Sequence, residues 1–221
     1  MSKLDYKIIK NNEEINLLID QGNDVLKMLG FTEHSKKHAA KVANRSGWIL
    51  KTLGYNHHYV ELAKIAGYMH DIGNSINRSD HAHTGAILTY QILKDIDMPL
   101  PDIMTIATAI GHHDEHTGTA VGPISAALIL ADKTDVRRNR VQNPVKENFD
   151  IHDRVNYAAL TSKLDIDTEK QTLQMNLTLD DNICTVMDYF EIFLDRMIMC
   201  KRAAEILGCK FKLVANGSKL C

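Results

Sequence analysis

The sequence predicts a mainly α-helical protein ending in a small α+β element made of a hairpin, a long helix and a short strand. Three observations carry this. Apolar residues recur at helical spacing, about every 3.6 positions, through residues 1–140. Near residue 160 the period changes to 2, with apolar and polar side chains alternating. Beyond residue 185 the helical period returns for one long stretch before a last short alternation. A chain of 221 residues, 44% hydrophobic, can bury a core without a disulfide or structural metal. Its 26 basic and 28 acidic residues, net charge −2, exclude a dedicated nucleic-acid binder with a large basic excess.

In chain order, Ile15, Leu18, Ile19, Val25, Leu26 and Leu29 predict a helix over Glu13–Leu29, with Gly30 as its stop. Thr32 is expected to cap the next helix, from Glu33 through His38, Val42 and Trp48 to Leu53. Val60–His70 is apolar on one face and ends at Asp71-Ile72-Gly73-Asn74. Thr84–Leu93 is a further helix, closed before Pro99, and Leu100-Pro101-Asp102 opens another over Ile103–His112. Pro123 starts the helix that carries Ile124–Asp135. Residues 137–155 read as a charged connector. Leu164, Ile166 and Thr168, then Leu173, Met175, Leu177 and Leu179, form a hairpin around Asp167–Gln171. Asp180 or Asp181 is expected to cap the long helix, which holds Val186, Phe190, Phe193, Leu194 and Met197 and stops at Gly208. Phe211 and Leu213 mark the short strand. The predicted organisation is a helical unit over 1–140 and an α+β subdomain over 141–221.

Residues 1–7 mix charges and do not read as a signal peptide. No stretch reaches the roughly 18–20 apolar residues of a membrane span. Cys184, Cys200, Cys209 and Cys221 lack metal-site spacing and read as free thiols of a reducing compartment. The expectation is a cytoplasmic protein with no membrane partner.

The eleven histidines carry the functional argument. Several close or open apolar helices beside aspartates: His70-Asp71, His81 and His83, and the pair His112-His113. Asp132 lies inside the apolar run that begins at Ala126. A buried carboxylate costs several kcal/mol unless paired or bound to a metal. One or two divalent ions would satisfy all of these groups, since imidazole and carboxylate suit Zn, Mn, Fe, Ni or Co. His57 and His58 fall in a turn and His152 in the connector, and these read as surface residues, while His116 falls near the expected pocket mouth.

The ordered set His38, His70-Asp71, His81, His112-His113 and Asp132 comes with the strings MHDIGN, DHAHTGAILTYQIL, AIGHHDEH and LILADKTDVRRNR. Over about residues 30–140 it resembles the HD-domain superfamily of metal-dependent phosphohydrolases. The resemblance implies an HD-domain helical bundle with a buried dinuclear centre. In it His38, His70, Asp71 and Asp132 hold one metal, and Asp71 bridges to a second bound by His81, His112 and His113. His81 stands four residues before Gly85-Ala86, as the family's middle histidine does, with His83 as its rival. His34, four residues before His38, raises the option of a third metal. The doubled histidine is similar to the HD-GYP branch, but Ala120-Val121-Gly122-Pro123 replaces the Gly-Tyr-Pro motif.

The function so implied is hydrolysis of a phosphoester or nucleotide by metal-activated water. Its cofactors are two divalent ions drawn from Fe, Mn, Ni, Co, Zn or Mg. Asp71 and Lys133 are the expected catalytic residues, and Lys133 and Arg137 the phosphate contacts. The expected partner is a phosphorylated small molecule or nucleotide, not a nucleic-acid duplex, and a homodimer is left open. Two alternatives stay open: an HD-fold di-iron oxygenase, and a non-catalytic nucleotide-binding sensor.

Overall fold

The structure is a computed structural model that describes residues 5–145, 147 and 149–221. Its helices are α1 (Tyr6–Lys10), α2 (Glu13–Met28), α3 (Lys36–Thr52), α4 (His57–Met69), α5 (His81–Asp95), α6 (Leu100–Gly111), α7 (Pro123–Lys133), α8 (Ile151–Ala158) and α9 (Val186–Ile206). Four strands, β1 (Ala159–Asp167), β2 (Thr172–Leu179), β3 (Lys210–Ala215) and β4 (Ser218–Lys219), form one sheet in chain order. The mainly helical fold with a small C-terminal α+β element is the one the periodicity predicts.

The hairpin lies where alternation placed it, with Leu164 opposite Met175. β2 and β3 pair in parallel, so the chain must cross over between them, and α9 is that crossover. Leu173, Met175, Leu177 and Leu179 on β2, and Phe211, Leu213 and Ala215 on β3, are buried, while α9 packs against both β3 and α7. A single cluster of buried side chains therefore runs from Ile9 to Ala215. No helix among the described residues is long and apolar enough to cross a membrane. Cys184, Cys200 and Cys209 are buried, Cys221 is exposed, and all four are free thiols.

Several boundaries differ from expectation, each for a local reason. Ser35, not Thr32, caps α3: its hydroxyl accepts from Lys37 N. The amide of Glu33 donates instead to Arg140 O at 2.7 Å and that of His34 to Asn23 Oδ1 at 2.9 Å, which holds both residues outside the helix. α9 is capped by a reciprocal Thr185–Asp188 box rather than by Asp180 or Asp181. Residues 180–184 are drawn into a turn, with Asp180 N bonded to Ala158 O. α5 starts at His81, three residues before the expected Thr84, and α4 at His57 on its cap Asn56. The supposed connector holds a 3-10 turn, Arg138–Arg140, and most of α8, whose cap Asp150 accepts from Asp153 N at 2.7 Å.

Two glycines set the separations that shape the site. α3 and α4 approach so closely at Gly67 that a Cβ there would lie 2.8 Å from Ala43 Cα. At Gly73, in the 3-10 turn after Asp71, a Cβ would collide with His81 O at 2.0 Å. Backbone cannot move aside as a side-chain tip can, so Gly67→Ala is expected to lower unfolding free energy by about 1–3 kcal/mol. Chemical denaturation would show this as a lower midpoint at unchanged slope.

Candidate metal centre

Five chain segments bring the predicted ligands together. His38 lies one turn into α3, and His70 closes α4 with Asp71 beside it. His81 opens α5, His113 follows the end of α6, and Asp132 sits in the last turn of α7. The apolar faces of these helices form the core, so the polar groups at their ends are carried into it: His38, His70, Asp71, His81 and His113 are all buried.

The two oxygens of Asp71 look in two directions. On one side, Asp71 Oδ2 lies 3.0 Å from His70 Nε2 and 3.7 Å from His38 Nε2. Asp132 Oδ1 closes that group at 3.3 Å from His38 Nε2 and 3.6 Å from His70 Nε2. On the other side, Asp71 Oδ1 lies 3.7 Å from His81 Nε2 and 4.0 Å from His113 Nε2. Asn74 Nδ2 donates to the same Oδ1 at 2.9 Å and steadies the carboxylate.

Each imidazole is oriented by its second nitrogen. Nδ1 donates to Gly67 O in His70, to Arg78 O in His81, to Ile110 O in His113 and to Asp135 Oδ2 in His38. A carbonyl or carboxylate has no proton to give, so Nδ1 carries it and Nε2 presents a lone pair. The lone pairs of His81 and His113 then face each other at 3.3 Å, which is repulsive without a cation between them. Two nitrogen ligands of one ion, bonded at ~2.0–2.1 Å each, are separated by about this distance. His38 Nε2, His70 Nε2 and Asp71 Oδ2 are buried with no hydrogen-bond partner among the described residues. Leaving such groups unmet costs about 1–3 kcal/mol each. The residues therefore fit divalent metal, and three ligand groups assemble: His38–His70–Asp71, His70–His113–Asp132 and Asp71–His81–His113.

The electrostatics agree with this division. Burial favours neutral His81 and holds its pKa below the ordinary value, and burial with the nearby His70 and His81 does the same for His113. Burial also opposes charge on Asp71 and Asp132, but His70 beside Asp71 and Lys133 beside Asp132 keep both well below the usual carboxylate range. At His70 burial is outweighed by Asp71 and Asp132, and its pKa rises to about 10. A proton thus takes the cation's place in the metal-free protein. Its stabilising contribution is full below the unfolded value near 6.5 and is lost as pH rises through about 10. Metal loading at pH 7 is expected to expel close to one proton from this site, read by calorimetry in buffers of different ionisation enthalpy.

Behind the ligands stand residues the sequence reading did not single out. Asp135, fully buried, accepts from His38 at 2.9 Å, from Lys41 Nζ at 2.6 Å and from Arg137 through both Nε and Nη2 at 2.9 Å. Glu115 accepts from Lys133 Nζ and from Arg196 Nε, both at 2.7 Å, while Lys133 also reaches Asp132 Oδ2 at 2.9 Å. The position of Asp135, three residues after Asp132 and one helical turn on, was the available signal for it. Nothing local marks Arg196, which arrives from α9.

A cleft of about 720 Å³ opens over the centre, lined by Asp71, His81, His113, Asp132 and Lys133. Of the two rival histidines, His81 points into the cluster, whereas His83 is 55% exposed and faces Asp80. His34 lines the cleft with its Nδ1 on Thr32 O at 2.6 Å, and joins none of the ligand groups. His112 also joins none of them; its Nδ1 is buried without a partner among the described residues. Arg137 lies outside the cleft lining, engaged by Asp135. The cations that line the cleft are Arg78, Lys133, Arg140 and Arg196. His81→Ala is expected to lower bound metal measured by mass spectrometry, while His83→Ala leaves it at the wild-type level.

Comparison with known proteins agrees with this architecture. The chain is 29% identical over 174 residues to an uncharacterized protein of Methanocaldococcus jannaschii, covering 68% of this chain and 66% of the relative. It is 29% identical over 134 residues to Ribonuclease Y of Oceanobacillus iheyensis, covering 57% of this chain and 24% of that protein. A second Ribonuclease Y, from Streptococcus sanguinis, matches at 28% over 140 residues, 60% of this chain and 25% of the relative. The chain thus spans about a quarter of the ribonucleases it matches. The HD domain family matches residues 36–192, a range that contains every ligand of the cluster, and this protein belongs to that family.

Proposed function

We propose that the protein is a metal-dependent phosphohydrolase that cleaves a phosphoester with water activated at a dinuclear centre. The observation that carries this reading is the two-sided Asp71 carboxylate, with histidine Nε2 atoms facing each of its oxygens. His38, His70, Asp71 and Asp132 would hold one ion, and Asp71, His81 and His113 the other. Bound there, two divalent ions supply a lowered pKa for water and polarisation of the phosphoryl oxygens. The family membership and the name of the relatives, ribonucleases, support phosphoester cleavage.

The chain's own groups have definite tasks. Asp71 stays ionised and orients what lies between its two oxygens. Lys133 is kept protonated: burial opposes its charge, but Asp132 and Glu115 outweigh it and raise its pKa. It places a positive charge beside Asp132 at the cleft wall, where charge accumulates on the phosphoryl group. Only His113 of the His112-His113 pair turns into the ligand groups, so a likeness to the HD-GYP branch rests on sequence alone.

The test is metal analysis of the purified chain, followed by assay against p-nitrophenyl phosphate esters, nucleotides and cyclic dinucleotides. Metal-dependent release of phosphate or of a phosphomonoester is expected. Bound iron with oxygen consumption and no phosphoester cleavage would replace this reading with the oxygenase one.

A further inference from the structure

Arg140 is anomalous among the charged groups of the cleft. It is only 6% exposed, yet its guanidinium has no carboxylate partner among the described residues. It donates from Nε to Glu33 O at 2.9 Å and from Nη1 to Asp135 O at 3.0 Å, both backbone carbonyls. Asp135, Asp132 and Asp71 attract it only from a distance, while Arg196, lining the same cleft, repels it. A buried charge without a counter-ion is costly, and the distant carboxylates are those that metal would claim or that His38, Lys41 and Arg137 already share.

A second guanidinium sits nearby in the same condition. Arg78 lines the cleft, lies over the Phe31 ring at 5.5 Å, and its Nη1 donates to Asn74 Oδ1 at 3.3 Å and lies 3.4 Å from His81 Nε2. It too has no carboxylate partner among the described residues, unlike Lys133 and Arg196, which share Glu115. The two arginines come from different segments, the turn before α5 and the 3-10 turn after α7. Both are held by neutral acceptors that fix their direction without cancelling their charge.

We propose that Arg140 and Arg78 form a second oxyanion subsite in the cleft, adjoining the metal ligands at His81, and that the substrate carries a second anionic group which occupies it. For the word substrate this rests on the phosphohydrolase reading; the subsite itself does not. A planar guanidinium suits phosphate and carboxylate alike, through paired N–H donors. The inference narrows the substrate class to phosphoesters bearing a further phosphate or carboxylate.

The experiment is calorimetric titration of the metal-loaded full chain with three probes whose C–P bonds resist hydrolysis: propylphosphonate, propane-1,3-bisphosphonate and 3-phosphonopropanoate. A doubly anionic probe is expected to bind at least about tenfold more tightly than propylphosphonate, the size of one charge-assisted contact. Arg140→Gln and Arg78→Gln should each collapse that ratio toward one. Arg140 is buried and its variant is to be checked for folding by circular dichroism; Arg78 is half-buried, and its variant keeps the test decisive. Which doubly anionic probe gains more identifies phosphate or carboxylate as the second group. Equal affinity for all three probes, or a ratio that survives in Arg78→Gln, overturns the subsite. If p-nitrophenyl phosphate is still hydrolysed in that case, the phosphohydrolase reading stands without it. If no phosphoester is hydrolysed yet the ratio and its loss are observed, the subsite stands and the reading falls.

Discussion

Asp71→Ala is expected to strip metal from the centre and abolish turnover together. Asp71 faces histidine nitrogens on both sides, with Oδ2 toward His70 and His38 and Oδ1 toward His81 and His113. Alanine leaves His38, His70 and Asp132 on one side, and His81 and His113 alone on the other. A two-histidine remnant binds weakly, so metal content should fall from about two ions per chain to one or none. Metal supplies several kcal/mol of transition-state stabilisation. At about 1.4 kcal/mol per decade, the loss should be a thousandfold or more in kcat. In the metal-free protein the ionised Asp71 is favoured by its pairing with His70, so alanine also costs stability there. Circular dichroism and the denaturation midpoint of the variant separate that cost from the loss of metal. Full metal content and activity in Asp71→Ala would show that the bridging role is wrong.

Asp135→Asn is expected to have the next largest effect, although Asp135 touches no metal position. Its carboxylate accepts from His38 Nδ1 on one oxygen while Lys41 and Arg137 donate to both. An asparagine that keeps its oxygen toward the two cations turns its NH2 toward His38. His38 must then move its proton to Nε2, the atom meant to face metal. Losses of about 10–100-fold in metal affinity follow from disturbing such a supporting partner. Breaking a buried ion pair costs about 3–5 kcal/mol; Lys41 and Arg137 keep partial access to water, so the fall in stability should be smaller. The pH dependence has a definite sign. Burial would raise the Asp135 carboxyl, but the bond from His38 and the charges of Arg140 and Arg137 hold it far below the ordinary value. Its contribution is therefore complete above the unfolded value of about 3.9 and declines as pH falls below that. The stability gap between wild type and Asp135→Asn should be flat near neutrality and narrow in acid. Chelator competition and urea unfolding across pH would measure both effects.

Sequence period and local chemistry made most of the fold legible. The helices from Glu13 to Lys133 and the β1–β2 hairpin follow from apolar spacing, because each buries one face on a common core. Boundaries failed where a distant partner decided them: Arg140 O and Asn23 take the amides that Thr32 was expected to help enclose. The site was legible where ligands are adjacent to helix ends. His70, Asp71 and Asp132 stand out beside apolar helical runs, whereas His81 is separated from His83 by the family resemblance, through its spacing to Gly85-Ala86. His112 and His113 could not be separated from sequence, since adjacent residues at a helix end diverge by the local backbone turn; His113 turns inward on Ile110 O. The cationic wall was hidden for a different reason. Lys133, beside Asp132, reaches the cleft as expected, but Arg137, the nearest arginine, is taken by Asp135, while Arg78, Arg140 and Arg196 reach the cleft from three separate segments. Only tertiary structure brings those together.

The central claim is a dinuclear centre bridged by Asp71, and anomalous diffraction from manganese-loaded crystals tests it most directly. The account predicts two anomalous peaks: one against His38, His70 and Asp132, the other against His81 and His113, with Asp71 touching both. A single peak that Asp71 does not contact, or none at these residues under saturating manganese, would contradict it.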